Sequence, residues 1–344
     1  MSTQNLRRLA ELPADWRDAL DQLQAPPCDY FILRRNGLPL CGLPAQAEAF
    51  DRTLALYRPQ RWAGRLAVRL VGFLGPHRRL GIFLAKAPYS GAPDRSASGP
   101  VGLLGGNPSH ARQRILFCRP SSTGYEFGKM SKDAGLLRHE AEILRCPTIP
   151  CSTLPGLIGL ETCGPWTVLR TQYLDSVRHE ATLEDMVALL GQWILPGSPR
   201  KILEFPFGKN LPGLPKVLAE SVSKFFLRPS VFHGDFATWN ILRLRNGNQV
   251  AVDWEEGSPE DAPGLDLVHA LLQRELLVRR APAPSGLRAM ERTLASAACR
   301  SYLETVGWGQ HAKLLLGLAL WREASLRAEV KTWLNGVSWD SFRI

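Results

Sequence analysis

Val231-Phe232-His233-Gly234-Asp235-Phe236-Ala237-Thr238-Trp239-Asn240-Ile241-Leu242 is followed, thirteen residues after Asn240, by Asp253 in Val250-Ala251-Val252-Asp253-Trp254-Glu255. Four residues separate Asp235 from Asn240, an apolar pair precedes His233, and the run Gln249 to Val252 reads as a strand that delivers the second aspartate at its end. These residue types at this spacing suit phosphoryl transfer. A carboxylate such as Asp235 can orient an attacking hydroxyl and accept its proton. The amide oxygen of Asn240 and the carboxylate of Asp253 are hard ligands of the kind magnesium takes, with waters and phosphate oxygens completing the shell. The competing reading has Asp235 and Asn240 capping turns between short strands.

The rest of the chain sets bounds on that chemistry. Its 344 residues suffice for two or three packed units around sizeable cores. The composition is globular, 45% hydrophobic and 22% charged, and the 26 prolines and 30 glycines are spread along the chain as turns. No apolar run approaches the roughly 20 residues of a membrane span, and Met1 to Ala10 is too polar for a signal peptide. A cytoplasmic protein is expected. Seven cysteines without a Cys-x-x-Cys pair read as thiols in a reducing cell, not as zinc ligands or disulfides. The net charge of +10 comes from arginines scattered along the chain, with no block of five like charges. That describes a solvated basic surface, part of which can serve phosphates, and no specific nucleic-acid partner is expected.

Outward from the central motif, the N-terminal side reads as short strands and turns. Phe31-Ile32-Leu33 and Leu38-Pro39-Leu40 flank the turn signal Asn36-Gly37, Ala45 to Tyr57 has helical spacing, and Leu66 to Leu74 is apolar helix or strand. Lys86 to Pro100 has the composition of a linker. Strands are then expected at Val101 to Leu104, Arg114 to Arg119, Tyr125 to Met130 and Thr167 to Leu174, with a helix at Leu136 to Arg145. Beyond Asp175 helices are expected at Leu183 to Trp193, Leu214 to Phe226, Asp266 to Arg279, Leu287 to Thr305 and His311 to Thr332. Gly105-Gly106-Asn107-Pro108 is a turn whose glycines either let backbone amides approach phosphate or simply close a hairpin. Asp266 can cap its helix, or bond the central loop, or both.

His-Gly-Asp-Phe-x-x-x-Asn-Ile-Leu followed by Val-Asp-Trp-Glu resembles the aminoglycoside phosphotransferase and choline kinase group of small-molecule kinases, over roughly residues 100 to 280. The resemblance implies an α+β, two-lobed protein-kinase-like fold: a small antiparallel-sheet lobe, a larger mainly helical lobe and an N-terminal extension. Residues 1–95 would be an accessory region, 96–174 the nucleotide-covering lobe and 175–344 the helical lobe. Asp235 would be the catalytic base, Asn240 and Asp253 the metal ligands, and His233 a brace for the loop. Glu255 would stand behind the metal or touch substrate, and Trp239 would shape the substrate entrance. Lys129 would meet the α- and β-phosphates, oriented by Glu140, with Glu142 the alternative. Gly105 and Gly106 would cover the phosphates, and the backbone of Gln172 to Leu174 would bond the adenine edge.

ATP, or GTP in its place, and magnesium are the expected co-substrate and cofactor. The acceptor would be a hydroxyl of a sugar, amino sugar or amino alcohol. The alternative is a nucleotide-binding pseudokinase or scaffold acting through residues 1–95. Protein phosphorylation ranks below both, because Asp-Phe-Gly and Ala-Pro-Glu are missing and few residues lie between Asp253 and Gly264.

Overall fold

Successive residues of one strand serve opposite cores in this chain. In the strand Cys28–Arg35, Tyr30 and Ile32 join one apolar cluster while Phe31 joins another. A strand alternates sides with period two, so a strand covered on both faces loses its polar positions and reads as a continuous apolar run. The computed structural model describes residues 11–35, 38–56, 62–74, 86–90, 99–105, 114–122, 124–177, 179–209, 213–222 and 225–342. They divide into two compact units, residues 1–141 with 156–174 and residues 142–155 with 175–344.

The first unit is built on eight antiparallel strands: β1 Cys28–Arg35, β2 Leu38–Pro44, β3 Lys86–Tyr89, β4 Gly102–Gly105, β5 Arg114–Ser121, β6 Gly124–Ser131, β7 Leu157–Cys163 and β8 Trp166–Gln172. Their order is β3-β1-β2-β4-β5-β6-β8-β7. The helix Ala14–Gln22 packs Trp16, Ala19 and Leu20 with Tyr30, Leu103, Phe117 and Trp166. The cluster of Phe31, Cys41, Leu43 and Leu104 is completed by Phe50, Leu54 and Val68, from the helices Ala47–Leu56 and Trp62–Leu74. Leu137 and Ala141 of the helix Ala134–Leu144 cover Leu169 of β8.

This sheet corrects the expected division at residue 95. Cys41 of β2 pairs with Leu104 of β4, the Tyr30 hydroxyl donates to the Val101 carbonyl (2.8 Å), and the Trp166 indole donates to Asp18 (2.8 Å). Without β2, β4 would present an unpaired edge, which a sheet must cover or pair. β1 and β2 are thus part of one sheet with β4 to β8 and form no separate accessory region or N-terminal module. Lys86 to Tyr89, expected as linker, is the strand β3 against β1. Residues 91–98, the turn Asn36-Gly37 and Gly106 to Pro108 lie outside the described residues.

The second unit is mainly helical. Leu183–Gln192 starts at a capping box in which Thr182 accepts from the Asp185 N–H and Asp185 accepts from the Thr182 N–H. Lys216–Val222 is shorter than expected because β11 Phe226–Leu227 is drawn into pairing with β10 Arg200–Lys201. The expected helix 287–305 is two helices, Ala283–Leu294 and Ala297–Val306. The expected helix 311–332 is likewise two, Ala312–Leu326 and Ala328–Trp333, broken where Arg327 leaves helical geometry at φ −128°. Among the described residues no helix is long and apolar enough to cross a membrane, and all seven cysteines are free.

Gly128 gives a direct test of the first unit's packing. A Cβ built there would stand 2.1 Å from Cζ of Phe117, which is fully buried. Gly128→Ala is expected to cost about 1–3 kcal/mol of stability in chemical denaturation, and a second change, Phe117→Leu, should recover part of that loss.

Candidate active site

Short strands carry the central motif. β12 Ser230–Phe232 pairs with β15 Ser258–Asp261, and β13 Ile241–Leu244 pairs with β14 Gln249–Ala251 and with β9 Ser176–Val177. Between β12 and β13 the chain makes an irregular loop and one 3₁₀ turn, Thr238–Asn240. Gly234 lies at φ +85°, and a Cβ there would meet the Glu256 carbonyl at 2.3 Å, so only glycine fits. The Val252 N–H donates to the Asn240 carbonyl (2.9 Å), setting Asp253 one residue beyond that bond. Asp253 itself holds a left-handed backbone, φ +73°.

His233 ties the two halves of the motif together. Its ring is fully buried and packs at 4.5 Å from the Trp254 ring, with Trp193 and Phe236 completing an aromatic cluster. Burial pushes the imidazole down to about 4, against the pull of Asp235 and Asp253, so the ring is neutral near neutrality. Nε2 lies 3.0 Å from the Val252 carbonyl, an acceptor only, which assigns the ring proton to Nε2. Nδ1 is then free to accept from the Asp235 N–H at 3.3 Å.

Asp266 anchors the start of the loop. Its carboxylate accepts from the backbone N–H of His233 (2.7 Å) and of Gly234 (3.1 Å). The helix Leu265–Gln273 is instead opened by Gly264 at φ +85° without a side-chain cap. Of the two roles open to Asp266, the structure thus shows the loop bond. Burial raises its carboxyl to about 7 although both amides favour the charged form.

Asp235 is only partly buried and is held on both oxygens. Oδ2 accepts from the Asn240 amide (3.1 Å), whose Nδ2 also reaches the Asp235 carbonyl (2.8 Å). Oδ1 lies 3.1 Å from Nε2 of His269 and 3.8 Å from Nη2 of Arg327. Burial alone would raise the Asp235 carboxyl. The bond to His269 and the nearby positive charge outweigh it and hold the group at about 2. His269 shows the converse: burial would lower it, yet the two carboxylates beside it lift it to about 9. The second carboxylate is Glu323, 3.3 Å from Nδ1, which is itself met by Arg322 (3.0 Å) and Arg327 (3.1 Å).

The sequence reading named Asp235, Asn240, Asp253, His233 and Asp266 but missed His269, Glu323 and Arg327. His269 lies three residues after Asp266, one helical turn away on a neighbouring face, and that spacing was the available signal. Glu323 and Arg327 are i,i+4 partners at the end of a helix that otherwise reads as apolar core. Glu255 is buried beside the fully buried Trp254, and Trp239 is half-buried in the 3₁₀ turn.

In the first unit Lys129, on β6, lies 2.8 and 3.0 Å from the two oxygens of Glu140, and both residues are buried. Glu142 is exposed; of the two glutamates, Glu140 is the partner. Gly105 ends β4 under Trp16, where a Cβ would lie 3.0 Å from the indole, a packing reason for glycine. Gln172 closes β8 and its N–H donates to the Gly156 carbonyl (2.8 Å), with Leu174 just beyond the strand.

No protein-family model and no curated protein matches the chain. Among solved structures, it is similar to a thermostable aminoglycoside phosphotransferase crystallised with ADP and hygromycin B, at 14% identity and a TM-score of 0.41, covering 71% of this chain and 96% of that one. An aminoglycoside phosphotransferase from Alicyclobacillus acidocaldarius is similar at 16% identity and a TM-score of 0.36, over 66% of this chain and 85% of the other. The choline kinase LicA from Streptococcus pneumoniae is similar at 14% identity and a TM-score of 0.35, over 65% and 84%.

Two outcomes follow from the geometry. Asp266→Asn keeps one acceptor and turns an amide N–H toward the second backbone donor, which should cost about 2–3 kcal/mol in urea unfolding. His269, lifted from 6.5 to about 9, binds its proton more tightly in the folded chain. The stability it adds is complete below pH 6.5 and is lost as pH rises through about 9. Between about pH 7 and 9.5 the urea midpoint of the wild type should therefore fall more steeply than that of His269→Gln.

Proposed function

We propose that this protein is a kinase that moves the γ-phosphoryl group of ATP, or GTP in its place, to a hydroxyl of a small molecule such as a sugar, amino sugar or amino alcohol. The observation that carries this reading is the Asp235 carboxylate, kept charged and held by a donor on each oxygen within a loop that also presents Asn240 and leads to Asp253. In this reading Asp235 orients the acceptor hydroxyl and receives its proton. The hydroxyl oxygen bonds to phosphorus while the bond to the β-phosphate oxygen breaks, its electron pair leaving with the nucleoside diphosphate. A carboxylate held near 2 is a weak base, so its main contribution is orientation, with proton transfer following as the new bond forms.

The donor set around Asn240 fits magnesium. Its Nδ2 is committed to Asp235, which turns the amide oxygen away from that carboxylate, and Asp253 adds a charged oxygen. Asn240 and Asp253 would hold the ion, which when bound neutralises charge on the phosphate oxygens. Lys129, oriented by Glu140, would meet the α- and β-phosphates, a role that suits a lysine fixed by a two-oxygen ion pair. Gly105, Gly106 and the backbone of Gln172 and Leu174 would face the nucleotide, as the family resemblance implies.

The test is ADP release from ATP and magnesium across a panel of hydroxylated metabolites. Asp235→Asn should lower kcat by about 100-fold or more, and turnover equal to wild type would sink the assignment. Asp253→Gly separates chemistry from folding. Glycine adopts φ +73° freely, so stability should stay within about 1 kcal/mol of wild type, while ADP release is lost.

A further inference from the structure

Asp235 has a buried neighbour that the phosphotransfer reading does not by itself require. His269 is 2% exposed, with Nε2 3.1 Å from Oδ1 of Asp235 and Nδ1 3.3 Å from Oε1 of Glu323. The first contact is a hydrogen bond, while the second is an ion pair without hydrogen-bond alignment. A neutral imidazole carries a single N–H. Placed between two carboxylates it would turn one bare nitrogen lone pair toward an oxygen, and protonation of both nitrogens removes that conflict. We propose that His269, as an imidazolium braced from behind by Glu323, is the positioning residue that fixes the Asp235 carboxylate in front of the acceptor hydroxyl.

The charged groups around the ring support that state. Asp235 and Glu323 touch it directly, and Asp266 acts on it from one turn earlier on its own helix. Against these stand Arg322 and Arg327, both on Glu323, and His233, which burial keeps neutral. Arg327 also leans on Glu256 at 3.4 Å, which spends part of its charge away from the ring. The consequence for Asp235 is geometric. His269 fills one direction on Oδ1 and Asn240 one on Oδ2, so two donors set the carboxylate plane and leave one acceptor direction on each oxygen for the incoming hydroxyl.

The proposal rests on the phosphotransfer reading, and its test uses two measurements that can fail separately. The first follows the imidazole Cε1–H resonances of the intact wild type and of Asp235→Asn by NMR across pH. The His269 signal should titrate near 9 in the wild type and at lower pH in Asp235→Asn. Titration of the wild-type signal at or below 6.5 overturns the proposal. The second measures magnesium-dependent ATP hydrolysis, with water as the acceptor, for wild type, His269→Gln and His269→Ala.

Glutamine keeps a donor to Asp235 but cannot titrate. His269→Gln should lower kcat by about 10- to 100-fold, leave KM for ATP within about twofold and lose the alkaline limb of the rate profile. His269→Ala should be slower still. A His269→Gln enzyme with wild-type kcat and an unchanged alkaline limb removes the positioning role and leaves phosphotransfer standing. Absence of magnesium-dependent ADP release from the wild type, both with water and with every hydroxylated metabolite of the panel, removes the phosphotransfer reading, and this role with it.

Discussion

Two backbone N–H groups at the start of an irregular loop must be satisfied where water does not reach, and Asp266 satisfies both. A buried amide left without a partner costs about 1–3 kcal/mol, so that carboxylate stabilises the shape of the loop. The rest of the site follows from the grip. With His233 and Gly234 pinned, the His233 ring reaches the Val252 carbonyl, and Val252 in turn bonds the Asn240 carbonyl. The two halves of the motif, thirteen residues apart in sequence, become one rigid piece. The aromatic packing of Trp193, Phe236 and Trp254 around His233 keeps water from competing with these bonds.

Burial has opposite effects on the two histidines of this region. For His233 desolvation is the largest influence, and it outweighs the Val252 carbonyl and the nearby Asp235 and Asp253, which favour a second proton, so the ring stays neutral. His269 has a carboxylate on each side, and their charge overcomes a desolvation of similar kind. The same logic holds Glu323 below the usual carboxylate range: burial would raise it, and His269, Arg327 and Arg322 more than offset that. Charges that would each be prohibitive inside protein are tolerated because they are assembled as a set. Lys129 and Glu140 repeat the device in the first unit with a single pair.

How much of this was legible in the sequence depended on the range of the interaction. The meeting of Asp235 with Asn240, and of Asn240 with the strand before Asp253, could be expected because the three lie within one short motif, and β1, β5, β6 and the helix Ala134–Leu144 because their apolar periods are strong. β7 escaped because it is half exposed and its side chains lack a clean alternation. The pairing of β2 with β4 escaped because a strand's partner is not written in its own residues. Glu323 escaped for the same reason. On a helix whose other buried residues are mostly leucine, one glutamate looks like a solvent-facing position until the fold turns it toward His269. The break at Arg327 was equally hidden, since no glycine or proline marks it.

Asp253 stands out by its backbone. It is one of three non-glycine residues with positive φ among the described residues, and such a backbone costs a residue with a Cβ about 1 kcal/mol or more. Its neighbours impose the conformation. Val252 is bonded through both its N–H and its carbonyl, and Trp254 is locked by its indole N–H on the Ala251 carbonyl (2.9 Å) and by its contacts with Trp193 and His233. A chain held on both sides in this way leaves residue 253 no extended alternative, and a glycine would adopt the required conformation without strain. The aspartate is therefore not there for the backbone. What it adds is a carboxylate, one residue past the Val252 N–H bond to the Asn240 carbonyl, in a motif whose asparagine commits its amide N–H to Asp235.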